Sequence, residues 1–323
     1  MAAFPPPHLV ERFRRDLDAV AGPEPGAVAI AVSGGPDSLA LLLLARAALP
    51  GRVGAATVDH GLRAEAAAEA EAVAGLCRQL DVPHSILRPR VEPAGEGLQA
   101  AARAARYCAL AEWMDRQGLS TLLTGHHCDD QAETLLMRLN RGSGVAGLAG
   151  VRAAAPVPGT DGRLALCRPL LAWRHSELQA VVEAAGVEAA RDPGNEDEAF
   201  DRARVRRRLR EAPWLDPAAL ARSAALLAEA EAALEWTARP LFAARADLED
   251  GAVTLRPGGL PPELLRRLVL RCLRHVAPAA QPRGEALAAF TERLQAGAAA
   301  TLSGVKATGG ACWRFEAAPP RRG

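Results

Sequence analysis

Residues 27–49 read AVAIAV-SGGPDS-LALLLLARAAL. Six apolar residues lead into the turn Ser33-Gly34-Gly35-Pro36-Asp37-Ser38, and a stretch of helical length follows. That stretch is apolar around nearly its whole circumference, as a helix buried beneath a sheet must be, so the segment reads as strand, turn and helix. Gly34 and Gly35 let backbone N–H groups come close to a ligand. Those donors, together with the following helix N-terminus, favour an anion. Asp37 adds a carboxylate able to hold a divalent cation, and Ser33 and Ser38 add hydroxyls. No G-K-[ST] follows the glycines, so this is not a Walker loop and γ-phosphate hydrolysis is not expected.

The alternation continues outward. A second strand is expected at 52–58, ending at Asp59-His60-Gly61, then a helix at 64–80 and a strand at 83–87. A helix at 98–116, a strand at 121–124 and a helix at 129–140 complete the series. Repeated strand–helix units of this length predict an α/β fold, a parallel sheet with helices on both faces. Ligands of such sheets gather beyond the carboxyl ends of the strands. Ser33, Asp59 and Gly125 each fall at such an end. Beyond residue 150 the pattern loosens into a turn-rich loop at 156–162, a helix at 174–185 and a polar loop at 191–197. An arginine-rich run follows at 201–210, and then a long alanine-rich helix at 217–238. A strand at 252–255 and helices at 262–276 and 284–294 precede a glycine-punctuated end. The expected organisation is a catalytic domain over 1–215, a helical linker over 216–240 and a small α+β C-terminal domain over 241–323.

The chain has 323 residues, 49% of them apolar and 24% charged, with a formal net charge of +1. That composition excludes global disorder and a polyelectrolyte. It leaves open a nucleic-acid partner, for which local charge decides. The six cysteines stand singly with no C-x-x-C, which reads as reduced thiols in a cytoplasmic protein. No apolar run reaches the roughly 18 residues of a membrane span.

The acceptor chemistry is written in Gly125-His126-His127-Cys128-Asp129-Asp130-Gln131-Ala132-Glu133-Thr134. On a continuous helix His126, Asp129, Asp130 and Glu133 share one face. Three carboxylates crowded there repel one another unless a cation or an amine sits among them. Gln99, Arg103 and Arg106 form a polar face on another helix, suited to a carboxylate or phosphate. Six arginines in residues 201–210, Arg202, Arg204 and Arg206 among them, are either a solvated helix face or a contact for a nucleic-acid backbone. Aromatic residues, at 4%, are too sparse for a base-stacking surface, which favours recognition of a folded RNA by shape and phosphates.

The SGGPDS turn resembles the pyrophosphate loop of the N-type ATP pyrophosphatases, the PP-loop family. H-x-x-D-D-x-x-E-T followed by MRLNRGSGVAGLAG resembles, within that family, the tRNA(Ile)-lysidine synthases. So do Asp59-His60-Gly61-Leu62-Arg63, the helix carrying Arg103, Arg106 and Tyr107, Arg168-Pro169-Leu170-Leu171 and Arg174-His175-Ser176-Glu177-Leu178. The resemblance covers residues 25–210. It departs where Asp192-Pro-Gly194-Asn195-Glu-Asp197 lacks a serine and where Ala203 stands in place of an asparagine.

The resemblance implies ATP as co-substrate, bound by residues 33–38 with Asp59 and His60, and Mg2+ on Asp37 and Asp130. It implies catalytic roles for Asp37, Asp129, Asp130, Glu133 and Arg106, and substrate or tRNA contacts for His126, Arg103, Arg202, Arg204 and Arg206. The partners it implies are free L-lysine, a tRNA(Ile) with a CAU anticodon and a second copy of the chain in a homodimer. Two alternatives share the loop: a tRNA thiolation enzyme, for which Cys128 is the candidate sulfur carrier, and a non-catalytic nucleotide- or RNA-binding module.

Overall fold

The fold was analysed in a computed structural model that describes residues 4–61, 65–91, 97–190 and 201–319. The Asp192, Gly194, Asn195 and Asp197 segment lies outside the described residues, as do Leu62 and Arg63. The chain forms two compact units that part inside one long helix, between Ala225 and Leu226.

In the first unit the order is α1 (Pro7–Ala21), β1 (Val28–Ala31), α2 (Pro36–Ala48), β2 (Val53–Val58), α3 (Ala66–Gln79), β3 (His84–Leu87), α4 (Leu98–Gln117), β4 (Thr121–Leu123) and α5 (Cys128–Leu139). After the short α6 (Val145–Leu148), which groups with the second unit, come β5 (Ala154–Pro156), β6 (Ala165–Cys167), α7 (His175–Ala184) and α8 (Asp201–Glu211). α9 (Pro217–Arg245) begins in the first unit and ends in the second.

The six strands form one sheet in the order β3-β2-β1-β4-β6-β5. All neighbours are parallel except the edge pair β5–β6, which is antiparallel. The turn-rich loop expected at 156–162 is the connection of a hairpin, whose three-residue strands are too short to show a periodicity. The N-terminal helix α1 was likewise not foreseen.

Strand alternation sorts the core. Val28, Ile30, Ala55, Leu123 and Cys167 face one side, where Phe13, Leu17, the α2 leucines, Val73 and Leu178 cover them. Ala29, Ala56, Leu122 and Leu166 face the other, beneath Leu110, Trp113 and Met114 of α4. α2 is buried from Ser38 to Ala45, as its all-round apolar sequence predicts.

The second unit carries β7 (Ala246–Glu249), β8 (Ala252–Leu255), α10 (Pro262–Val276), α11 (Gly284–Gln295), β9 (Ala299–Leu302), β10 (Val305–Thr308) and β11 (Trp313–Ala317). Its sheet is wholly antiparallel, in the order β7-β8-β11-β10-β9. Phe290, Trp313, Phe315 and Leu268 fill its core. α9 runs on through Pro240 rather than stopping at 238. Its later turns are fastened to α10 by Arg267, which is buried and bonded to Glu231 at 2.9 Å, Glu235 at 2.7 Å and Glu263 at 2.8 Å.

Gly125, just beyond β4, is where two motif-bearing turns meet. A Cβ there would lie 2.9 Å from the Asp37 carbonyl oxygen and 3.1 Å from the Ser38 nitrogen, both backbone atoms that cannot swing aside. Gly125→Ala is therefore expected to cost about 1–3 kcal/mol in urea unfolding. Unchanged stability would contradict this close approach.

Candidate active site

The turn after β1 is stiffened by its own hydroxyls. Ser38 Oγ donates to the Gly35 carbonyl at 2.9 Å and accepts from the Ser33 N–H at 3.1 Å. Gly34 has φ +86°, which a side chain rarely tolerates, and its carbonyl accepts from the Ala190 N–H at 2.9 Å. Pro36 occupies the first turn of α2.

Beyond β2, Asp59 is buried and accepts from the Gly61 N–H at 2.9 Å. His60 has both ring nitrogens buried without a hydrogen-bond partner among the described residues. Burial and the Arg106 charge push its pKa down, against the pull of Asp59.

The decisive assembly lies beyond β4. His127 is 4% exposed, in extended backbone immediately before α5. Its Nε2 lies 3.4 Å from Asp37 Oδ2 and 3.6 Å from Asp130 Oδ2, and its Nδ1 lies 3.5 Å from Asp129 Oδ2. These are ion-pair rather than short hydrogen-bond distances. Burial alone would favour the neutral ring, but Asp129, Asp37 and Asp130 overcome it and raise the pKa to about 10. The imidazolium is thus the cation that the crowded carboxylates require.

His175, the first residue of α7, completes the cluster. Its ring Nδ1 lies 2.8 Å from Asp37 Oδ1, and its backbone N–H donates to Asp129 Oδ2 at 2.9 Å. Burial would raise the Asp37 pKa, but His127 and His175 hold it well below the usual carboxylate range. Asp129 is depressed in the same way by His127 and the His175 N–H. Sequence reasoning assigned no role to His175 or to His127. The adjacent His-His pair and the histidine at the head of α7 were the available signals, and only the fold brings them to Asp37.

Glu133 is 2% exposed and bound from two sides: Arg202 Nε at 2.8 Å and Arg206 Nε at 2.6 Å. Arg202 Nη2 also reaches Asp130 Oδ1 at 3.0 Å. The structure therefore brings Asp37, Asp129, Asp130 and Glu133 together with Arg202, Arg206 and His127 in one ion cluster, four carboxylates against three cations. It does not build the single helix face expected for His126, Asp129, Asp130 and Glu133. The extended backbone of His127 delays the helix to Cys128, so His126 precedes it and turns to Thr124, with Nδ1 3.0 Å from Oγ1. Burial pushes His126 down to about 4; Asp130 opposes this, while Arg168, Arg202 and Arg103 reinforce it. Arg103 donates to the Tyr107 hydroxyl at 3.4 Å, Arg106 faces the His60 side, and Arg204 lies exposed on α8.

The charge on His127 has a thermodynamic consequence. A histidine whose folded pKa is raised from about 6.5 to about 10 contributes stability that is fully present below the lower value. That contribution disappears as pH rises through the upper one. The stability gap between wild type and His127→Gln should therefore shrink between about pH 7 and 10 in urea titrations. A gap that stays constant with pH would contradict the imidazolium.

Comparison with known proteins agrees with this geometry. The PP-loop domain family model matches residues 9–212. The tRNA(Ile)-lysidine synthase of Novosphingobium aromaticivorans is 48% identical over 314 residues, covering 96% of this chain and 94% of that protein. The tRNA(Ile)-lysidine synthase of Zymomonas mobilis is 45% identical over 318 residues, covering 97% and 96%. Among solved structures, the U34-tRNA thiolase NcsA of Methanococcus maripaludis shares the fold, with a TM-score of 0.54 at 17% identity over 67% of this chain and 76% of that one. No described helix is long and apolar enough to cross a membrane. The chain belongs to the PP-loop family of ATP-utilising enzymes and, within it, to the tRNA(Ile)-lysidine synthases.

Proposed function

We propose that this chain uses ATP to join free L-lysine to the wobble cytidine of a tRNA(Ile) with a CAU anticodon, giving lysidine and changing decoding from AUG to AUA. The observation that carries the reading is the convergence of the phosphate loop with the Asp37, Asp129, Asp130 and Glu133 carboxylates, in a chain whose relatives of equal length bear that name. In this proposal residues 1–215 carry the catalysis, 216–240 connect, and 241–323 contact the tRNA.

The 2-carbonyl oxygen of cytidine is a poor leaving group. Its attack on the α-phosphorus of ATP breaks the α–β anhydride bond and releases pyrophosphate. The lysine ε-amine then bonds to C2, the C2–oxygen bond breaks, and AMP departs with the electron pair. The amine must attack in its neutral form, so a proton has to be drawn from the ammonium.

In this scheme the Gly34 and Gly35 N–H groups and the head of α2 hold the phosphates, with Ser33 and Ser38 fixing the turn. Asp59 and His60 border the nucleotide. Arg106 faces the lysine carboxylate or the adenylate. Asp130 receives the lysine ammonium and takes up its proton, while Glu133, bound on both oxygens by Arg202 and Arg206, holds those guanidinium groups in place beside it.

Magnesium prefers oxygen ligands and is commonly held by one carboxylate with substrate phosphates. Asp37 fits that role, being ionised at the head of α2. Asp130, the second expected ligand, shares His127 Nε2 with Asp37, at 3.6 and 3.4 Å. Bound to Asp37, the ion would neutralise phosphate charge.

A sulfur-transfer reading would need Cys128 as a thiolate. Burial and the neighbouring Asp129 push that thiol up to about 12, which counts against it.

The test is ATP-dependent incorporation of labelled lysine into a tRNA(Ile) transcript with a CAU anticodon, with the methionine tRNA as control. Labelling of the isoleucine tRNA alone is expected. Asp37→Asn and Glu133→Gln should each lower turnover by about 100-fold or more while the protein stays folded. No labelling, or full turnover in both variants, would refute the reading.

A further inference from the structure

Arg168 opens the Arg-Pro-Leu-Leu motif, and none of the roles proposed above uses it. It sits immediately after β6, on the rim where the carboxyl ends of the strands lie, and is only 6% exposed. A buried guanidinium is ordinarily paired with a carboxylate. Arg168 has none among the described residues. Its Nη1 donates to the Arg152 carbonyl at 2.6 Å, a neutral acceptor, and its Nε is buried with no acceptor among the described residues. Its other side-chain neighbour is the hydroxyl of Tyr107, which is 4% exposed.

A second guanidinium meets the same phenol. Arg103 Nη2 donates to Tyr107 Oη at 3.4 Å, and its guanidinium carbon stands 5.1 Å from the ring centroid. Arg103 is exposed, and it too has no carboxylate partner among the described residues. Two cations thus share one neutral hydroxyl. His126, which feels both charges, is held neutral and supplies no compensation either. Such an arrangement is unfavourable until an anion arrives.

α4 divides the arginines between two neighbourhoods. Arg106 acts on His60, beside the nucleotide turn of β2. Arg103 and Arg168 act on His126, beside the acceptor turn of β4. With Arg106 reserved for the lysine carboxylate or the adenylate, the second positive position needs another anion. Of the three reactants in the proposed function, the RNA strand is the one with phosphates to spare near the acceptor nucleotide.

We propose that Arg168, backed against Tyr107 and aligned with Arg103, forms a subsite for a backbone phosphate flanking the nucleotide that is modified. The inference rests on the proposed function for the identity of the RNA. Exposed Arg103 supplies the contact face. Buried Arg168 fixes the hydroxyl that Arg103 leans on and adds charge from beneath.

The test measures binding of the tRNA(Ile) transcript to the full chain across a salt series, alongside the KM for lysine. Arg168→Gln, which keeps a donor for the Arg152 carbonyl, should weaken tRNA binding roughly tenfold and reduce the slope of log K against log salt by about one. Arg168→Lys should recover most of the affinity, and lysine KM should stay at the wild-type value in both. Should Arg168→Gln lose its cooperative thermal transition, Arg103→Gln and Tyr107→Phe carry the same expectation of weaker, less salt-dependent tRNA binding. Unchanged tRNA affinity and salt slope would overturn the proposal. So would a raised lysine KM with unchanged tRNA binding, which would make the site a carboxylate site. A wild-type chain that binds the transcript but does not attach lysine would fail the proposed function, and the phosphate subsite would still be judged by the salt slope.

Discussion

One buried imidazolium holds the site together. Asp37, Asp129 and Asp130 come from the heads of two helices, and all three lie within 3.6 Å of a ring nitrogen of His127. Without a cation among them, three partly buried carboxylates would repel one another, and at least one would take up a proton. The His127 charge keeps Asp37 and Asp129 ionised at neutral pH. Ionised carboxylates are what an enzyme needs if it is to receive an ammonium group and remove its proton.

The sheet places this ion cluster. β1 and β4 are neighbours, so the turns carrying Asp37 and His127 leave the sheet side by side. Gly125 lets them approach to backbone contact, which explains a glycine with neither a positive φ nor a turn to make. α7 enters from beyond β6 and delivers His175 to both Asp37 and Asp129, and α8 delivers Arg202 and Arg206 to Glu133. Every carboxylate of the cluster thus has a partner from a distant part of the sequence. A shift of any one helix would leave a buried charge exposed to its neighbours.

The sequence made the βα units legible because their signals are local. An apolar run ends at a glycine turn and a continuous apolar helix follows; β1, β2 and α5 lie within one residue of their expected bounds, and α2 begins three residues earlier than expected, at Pro36. The carboxylate set was legible for the same reason, since Asp129, Asp130 and Glu133 lie within one short motif. What escaped were the partners. His175 lies 138 residues from Asp37, and Arg206 lies 73 from Glu133. No periodicity links such pairs. The arginine run read equally well as a solvated face or an RNA contact, and two of its members turn inward onto Glu133 instead. The β5–β6 hairpin was hidden because strands of three residues carry no pattern.

The claim on which the rest depends is that His127 carries a proton at neutral pH. Ring nitrogen chemical shifts of selectively labelled histidine, assigned by comparison with His127→Gln and followed against pH by NMR, measure it directly. The account predicts that His127 is doubly protonated at pH 7 and titrates with a midpoint near 10. A midpoint at or below the ordinary histidine value of about 6.5 would contradict it.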